Sequence, residues 1–168
     1  TQPLNVGNLN DGNSYAIDGT ISSARIVNGT AVYTSNFTPP TSALTNITNT
    51  KFLGCQSSTV TTATVVDNGS ASDTASTIGD PQSESEDPFL TSGYSGNFDG
   101  DDSVTVPNGS GVMDLGNNDF TIECWFKADP SGSGSPGTHD TLFALSAYGD
   151  GSNSNAFSFY AHDNGGLK

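Results

Sequence analysis

The run FTIECWFK at 120–127 constrains this chain more than any other stretch. Phe120, Ile122, Cys124 and Phe126 alternate with Thr121, Glu123, Trp125 and Lys127. A period of two is the pattern of a strand with one face buried. Four bulky apolar groups on one face need a second layer above them, and a facing sheet supplies it. All four are therefore expected in a core. Just upstream, Val104 and Val106 alternate with Ser103 and Thr105 until Pro107, which has no N–H to give a ladder.

Further strand patterns lie at 21–27, 51–56, 141–147 and 156–161. No 15-residue window carries a clean helical period, and straight-chain helix formers are scarce. The expected fold class is all-β, an antiparallel β-sandwich. Asn28-Gly29 reads as a type I′ turn, followed by Ala31-Val32-Tyr33 and a stop at Pro39-Pro40. The stretch QSESEDP at 82–88 reads as an acidic, unpatterned loop.

Charge narrows the function classes. Four Lys and Arg face 18 Asp and Glu, for a formal net charge of −14 over 168 residues. Phosphate recognition needs clustered cations, so nucleic acid is not an expected partner. An anionic membrane surface would repel the chain, and no apolar span suggests insertion. The polar opening TQPLNVGNLNDGN has no secretory pattern, which suits a mature, processed or cytoplasmically assembled chain. Cys55 and Cys124 are too few for a disulfide scaffold and are expected not to be bonded to each other, with Cys124 a small buried hydrophobe.

Two longer runs carry a resemblance. Phe98-Asp99-Gly100, then Val104-Thr105-Val106-Pro107, then Asp119 through Trp125 resemble the opening of a laminin G-like, concanavalin A-like jelly roll. The earlier run RIVNGTAVYTSNFTPP, with GTISSA before it, resembles the closing strand and exit of such a module in structural proteins of marine tailed phages, especially those infecting cyanobacteria. The resemblance implies that 1–40 close one module, 41–50 link, and 51–168 open a second. It covers nearly the whole chain yet describes no complete domain, so the sandwich is expected to be incomplete within the chain. Side chains such as Phe143, Leu145, Phe157 and Phe159 would then take cover from elsewhere.

Chemistry is sparse. Glycoside hydrolysis needs paired carboxylates at a set separation. Glu84 and Glu86 sit outside any strand pattern, and Glu123 stands alone on its strand. His139 and His162 lie in glycine- and asparagine-rich surroundings, with no nucleophile arranged beside them. No enzymatic activity is expected. Oxygen-rich turns suit a hard cation, and Asp99, Asp101 and Asp102 form the densest set, with calcium the expected ion. Asp-Gly is equally a turn signal. Asn28, Asn36, Asn46, Asn68 and Asn108 match the Asn-x-Ser/Thr pattern, as chance allows in so Asn- and Ser-rich a chain. Sugar contact calls for an exposed aromatic among polar groups, for which Trp125, Tyr148 and Tyr160 are candidates. Trp125 reads as core or inter-sheet. Tyr148, with Asp150 and Asn153 in its loop, is the expected ligand-binding set.

The resemblance implies a non-enzymatic virion structural protein: a tail fibre, appendage or capsid decoration. Its partners would be other copies of itself or other virion proteins, with loops touching host-surface glycans. Two rivals stay open, a secreted adhesin or extracellular filament subunit at the cell surface and a carbohydrate-binding module of a larger enzyme.

Overall fold

The alternating runs do form strands, and they pair into two antiparallel sheets without any helix among the described residues. The computed structural model describes residues 3–9, 15–61, 65–66, 75–89, 93–108, 111, 113–129, 140–145, 157–162 and 166–167. Within them lie β1 (Leu4–Val6), β2 (Asp18–Asn28), β3 (Thr50–Gly54), β4 (Val65–Val66), β5 (Ser76–Ile78) and β6 (Gln82–Glu84). Then follow β7 (Ser95–Asp99), β8 (Ser103–Val106), β9 (Phe120–Ala128), β10 (Asp140–Leu145), β11 (Phe157–His162) and β12 (Gly166–Leu167).

One sheet runs β12-β11-β10-β1-β8-β5. The other is organised by β2. Along one edge, residues 19–28 of β2 pair with β9. Along the opposite edge, residues 18–21 pair with β7 and residues 24–27 with β3. The sheet therefore forks there, with β6 continuing beyond β7 and β4 beyond β3. Ser23 stands at the fork with φ at 52°, where its N–H reaches the Cys55 carbonyl at 3.2 Å. The same residue falls in the irregular step of the β2–β9 ladder, as expected for a bulge that bends a strand. Its buried Oγ accepts from Gln56 Nε2 at 3.0 Å and from the Leu44 N–H at 3.4 Å.

The register gathers the core. Val6 lies opposite both Phe143 and Val104, and Leu4 opposite both Leu145 and Val106. This face packs on Ile21, Ile26, Phe52 and Phe98 of the other sheet in one apolar cluster. Strands expected to close a preceding module thus lie in the same two sheets as the later ones. β1 sits between β8 and β10, and β2 touches β3, β7 and β9. Phe143 and Leu145, expected to need cover from outside, are fully buried by their own chain. Phe157 and Phe159 are half-buried against the same cluster.

Three expectations are corrected. Phe120 and Phe126 are exposed, at 49% and 38%, while Ile122 and Cys124 are half-buried against the core. β9 pairs only with β2 among the described residues, so a side chain near either of its ends has neighbours on one side only. Second, Asn28-Gly29 starts no hairpin. The Gly29 N–H instead bonds the Asp119 carbonyl at 2.8 Å, and residues 29–49 cross the outer face of the second sheet as a strap. The Val32 N–H reaches Thr121 Oγ1 at 2.9 Å, and the Leu44 N–H and carbonyl meet Ser23 and Gln56. Third, residues 82–84 are not a loop but the short strand β6, paired with β7.

Phe98→Ala removes a fully buried ring and is expected to cost about 3–5 kcal/mol, whereas Phe120→Ala at the exposed end of β9 stays within about 0.5 kcal/mol. Urea denaturation of the two variants measures both, and equal losses would contradict the placement of β9 at a sheet edge.

Candidate functional site

Two corners cross between the sheets at the same rim. Residues 79–81 carry the chain from β5 in the first sheet to β6 in the second, and residues 100–102 carry it from β7 back to β8. Because β5 pairs with β8 and β6 with β7, the two corners lie side by side. Asp102 fastens them. Its Oδ1 accepts the Asp80 N–H at 2.8 Å and its Oδ2 accepts the Asp99 N–H at 3.1 Å. Gly79, at φ +73°, has to be glycine, since a Cβ there would stand 2.1 Å from Asp102 Oδ1.

The consequence is a carboxylate cluster of Asp80, Asp101 and Asp102, with one oxygen of each within 4.8 Å of the others. Such a set can hold a metal ion, and three oxygen donors favour a hard divalent cation. The crowding shows in the acidities. Asp101 is held above the ordinary carboxyl range mainly by the neighbouring Asp99 charge, with Asp80 adding to it. Burial pushes Asp102 upward against the two N–H bonds that favour its charged form. Of the residues expected from sequence, Asp101 and Asp102 belong to the cluster, and Asp99 supplies a backbone N–H and a nearby charge. Asp80 was not anticipated. Its signal is the repeated Gly-Asp corner, Gly79-Asp80 and Gly100-Asp101, 21 residues apart.

A second feature lies on the outer face of the forked sheet. The register aligns Gln82, Asn97, Thr20 and Lys127 across four strands, with Glu84, Ser95, Ser22 and Trp125 on the next outward row. A groove runs over these rows, as a cavity of about 410 Å³ adjoining one of about 120 Å³. Trp125 lines it and is neither core nor inter-sheet, because β9 turns Ile122 and Cys124 inward and the intervening residues outward. Phe89 meets the indole edge-on, with centroids 5.5 Å apart and planes at 87°. Tyr160 lies elsewhere, in a small cavity with Tyr15 and Thr141. Tyr148, Asp150 and Asn153 lie outside the described residues.

Glu123 does not stand alone. Arg25 Nε donates to its Oε1 at 2.8 Å, with Nη2 on the same oxygen, and Tyr33 donates to Oε2 at 2.7 Å. Arg25 Nη1 reaches the Thr45 carbonyl at 2.8 Å, so the ion pair rivets the strap to the sheet. Burial, aided by Glu123, raises the Tyr33 hydroxyl above its usual range. Tyr33 in turn stacks on Phe37 at 3.9 Å. Both cysteines are free thiols, as expected. Burial pushes each to about 12, leaving them protonated and unreactive near neutral pH.

No protein-family model, curated protein or solved structure matches this chain.

The rim carboxyls predict a definite pH dependence. Their folded-state values lie above the ordinary 3.8, so the unfolded chain releases these protons first as pH rises. Their contribution to stability is therefore greatest at the acid end and is lost as pH climbs from 3.8 through the raised values. Asp101→Asn should shrink that loss in chelator-treated protein. Denaturant midpoints measured against pH check it, and an unchanged slope in the variant would contradict it.

Proposed function

We propose that the chain is a non-enzymatic structural module of a virion, a tail-fibre, appendage or capsid-decorating component that assembles with other copies or with other virion proteins and touches host-surface glycans. The observation that carries the assembly reading is the outer edge of β9. This strand is nine residues long and pairs on one side only among the described residues. Protected edges are short or carry charge or proline. Here the charged side chains are Glu123, which is tied to Arg25, and Lys127 near one end. The exposed rings of Phe120 and Phe126 flank the edge. A strand from a neighbouring copy would satisfy its backbone groups and cover both rings.

The laminin G-like phrasing supports the same reading. Its FDG turn falls at the β7–β8 corner, its V-x-V-P run on β8 and its F-T-I-E-x-W run on β9. The net charge of −14 keeps such a module soluble outside an assembly.

Calcium at the rim belongs to this proposal. Oxygens on opposite sides of a calcium ion stand roughly 4.6–5.2 Å apart, from Ca–O distances of about 2.3–2.6 Å. The Asp80, Asp101 and Asp102 oxygens lie within 4.8 Å of one another, close enough for one such ion to reach all three, and a bound cation would relieve the crowding that raises Asp101.

Two measurements test the reading. Light scattering after size exclusion should find multimers for the native chain and monomers for a Phe120→Lys, Phe126→Lys double variant, while a concentrated native chain that stays monomeric would remove the support for assembly. Calorimetric titration of calcium into chelator-treated protein should give heat and a higher melting temperature, both abolished by Asp101→Asn. A silent titration would leave the three carboxylates as corner formers.

A further inference from the structure

The groove on the outer face of the forked sheet has a chemistry that assembly does not use. Its floor is made of short polar side chains that the register sets side by side: Thr20 beside Asn97, and Ser22 on the row of Ser95. Several are fixed before any ligand arrives. Asn97 Nδ2 donates to Glu84 Oε1 at 2.6 Å, Ser95 Oγ to the Glu86 carbonyl at 2.6 Å, and Ser22 Oγ to the Tyr94 carbonyl at 3.2 Å. Groups held in this way lose little freedom on binding. One wall is the indole of Trp125, itself braced by Phe89.

The combination selects among ligands. Asp18, Glu84, Glu86 and Asp129 line the groove against the single ammonium of Lys127. That charge repels phosphate, sulfate and carboxylate ligands. A wholly apolar ligand would take water from the carboxylates and return no hydrogen bond, at a cost of about 1–3 kcal/mol for each one buried. The carboxylates are also not gathered as a metal set, since among the described residues only Asp80, Asp101 and Asp102 converge in that way. Two classes remain, an organic cation and an uncharged molecule rich in O–H donors with one apolar C–H face for an aromatic ring, and the floor of fixed hydroxyl and amide groups beside the indole favours the second. We propose that the groove floored by Thr20, Ser22 and Asn97 and walled by Trp125 and Glu84 binds a neutral pyranose sugar, with the sugar's apolar face on the indole and its hydroxyls donating to the carboxylates. The combined cavities lie within the roughly 300–1,000 Å³ of small-ligand sites. This rests on the glycan-contact part of the proposed function and places that contact on a sheet face, away from the free edge of β9.

Trp125 is the sole tryptophan of the chain, so its emission reports on this groove alone. Lactose, maltotriose, cellotriose and chitotriose are titrated into the intact chain, with sialyllactose and spermidine as charged controls. At least one neutral sugar is expected to shift the emission saturably, unaffected by added salt because no ion pair is made. Sialyllactose should bind about tenfold more weakly than lactose or not at all. Glu84→Gln should weaken the sugar by about tenfold, the loss of one charge-assisted hydrogen bond, at an unchanged melting temperature, and Asn97→Ala should weaken it as much while also lowering the melting temperature through the lost bond to Glu84. If Asn97→Ala fails to fold, Glu84→Gln alone decides. No response to any of the four neutral sugars, equal binding of sialyllactose, or a salt-sensitive response to spermidine alone would overturn the assignment. Light scattering on the same samples separates the two proposals. Sugar silence in a chain that still forms multimers counts against the groove only, and sugar binding by a monomer counts against the assembly only.

Discussion

Strand β2 is occupied on both edges along most of its length, and the rest of the second sheet is placed by that pairing. A strand of eleven residues would ordinarily run straight with one neighbour along each edge. Instead one edge is divided between β7 and β3, and Ser23 turns the chain at the division. A residue with a side chain rarely takes φ near +52° unless its surroundings hold it there. Here the Cys55 carbonyl takes the Ser23 N–H, and the hydroxyl ties the fork to the strap through Leu44 and Gln56. The bend that opens the fork also separates the two jobs of the outer face. The strap covers the half near β3, and the half near β7 remains open as the groove.

Arg25 is the second constraint. A guanidinium that is only 5% exposed would be ruinous without a partner, and Glu123 on the adjacent strand supplies one by two donors. The pair is worth less for net stability than for arrangement. It binds the register of β9 to that of β2, takes the Thr45 carbonyl with a third donor, and leaves the far carboxylate oxygen for Tyr33. The strap is thus laid across the sheet by polar contacts to buried charges, with the Tyr33–Phe37 stack above them. That explains why a stretch with little periodicity runs in a defined path.

The rim and the groove differ in what local sequence could say about them. Asp99-Gly100-Asp101-Asp102 is contiguous, so its oxygen density is visible in one dimension. Asp80 arrives from another strand pair, and its carboxylate is a neighbour only because both corners cross between the sheets at one rim. The groove has no contiguous signature at all. Thr20, Asn97, Glu84 and Trp125 come from four strands spread over more than a hundred residues, and only their register makes them one surface.

Alternation, proline stops and the scarcity of cysteines make the class of fold, six of the twelve described strands and the two free thiols legible within short windows of sequence. Alternation also puts Ile122 and Cys124 on one face of β9 and Trp125 on the other, since a strand's side chains alternate without outside help. Tertiary structure alone decided how far burial extends along that face. Phe120 and Phe126 have the same orientation as Ile122 but lie near the ends of an edge strand, where neighbours run out. It alone decided that residues 1–40 share both sheets with the later strands, because ladder pairing joins segments whose separation in sequence carries no trace of the contact. And it alone turned Trp125 from an apparent core ring into the wall of a groove. The alternation of β9 places the indole opposite Ile122 and Cys124, but which of the two faces meets the other sheet is settled only when the sheets pack.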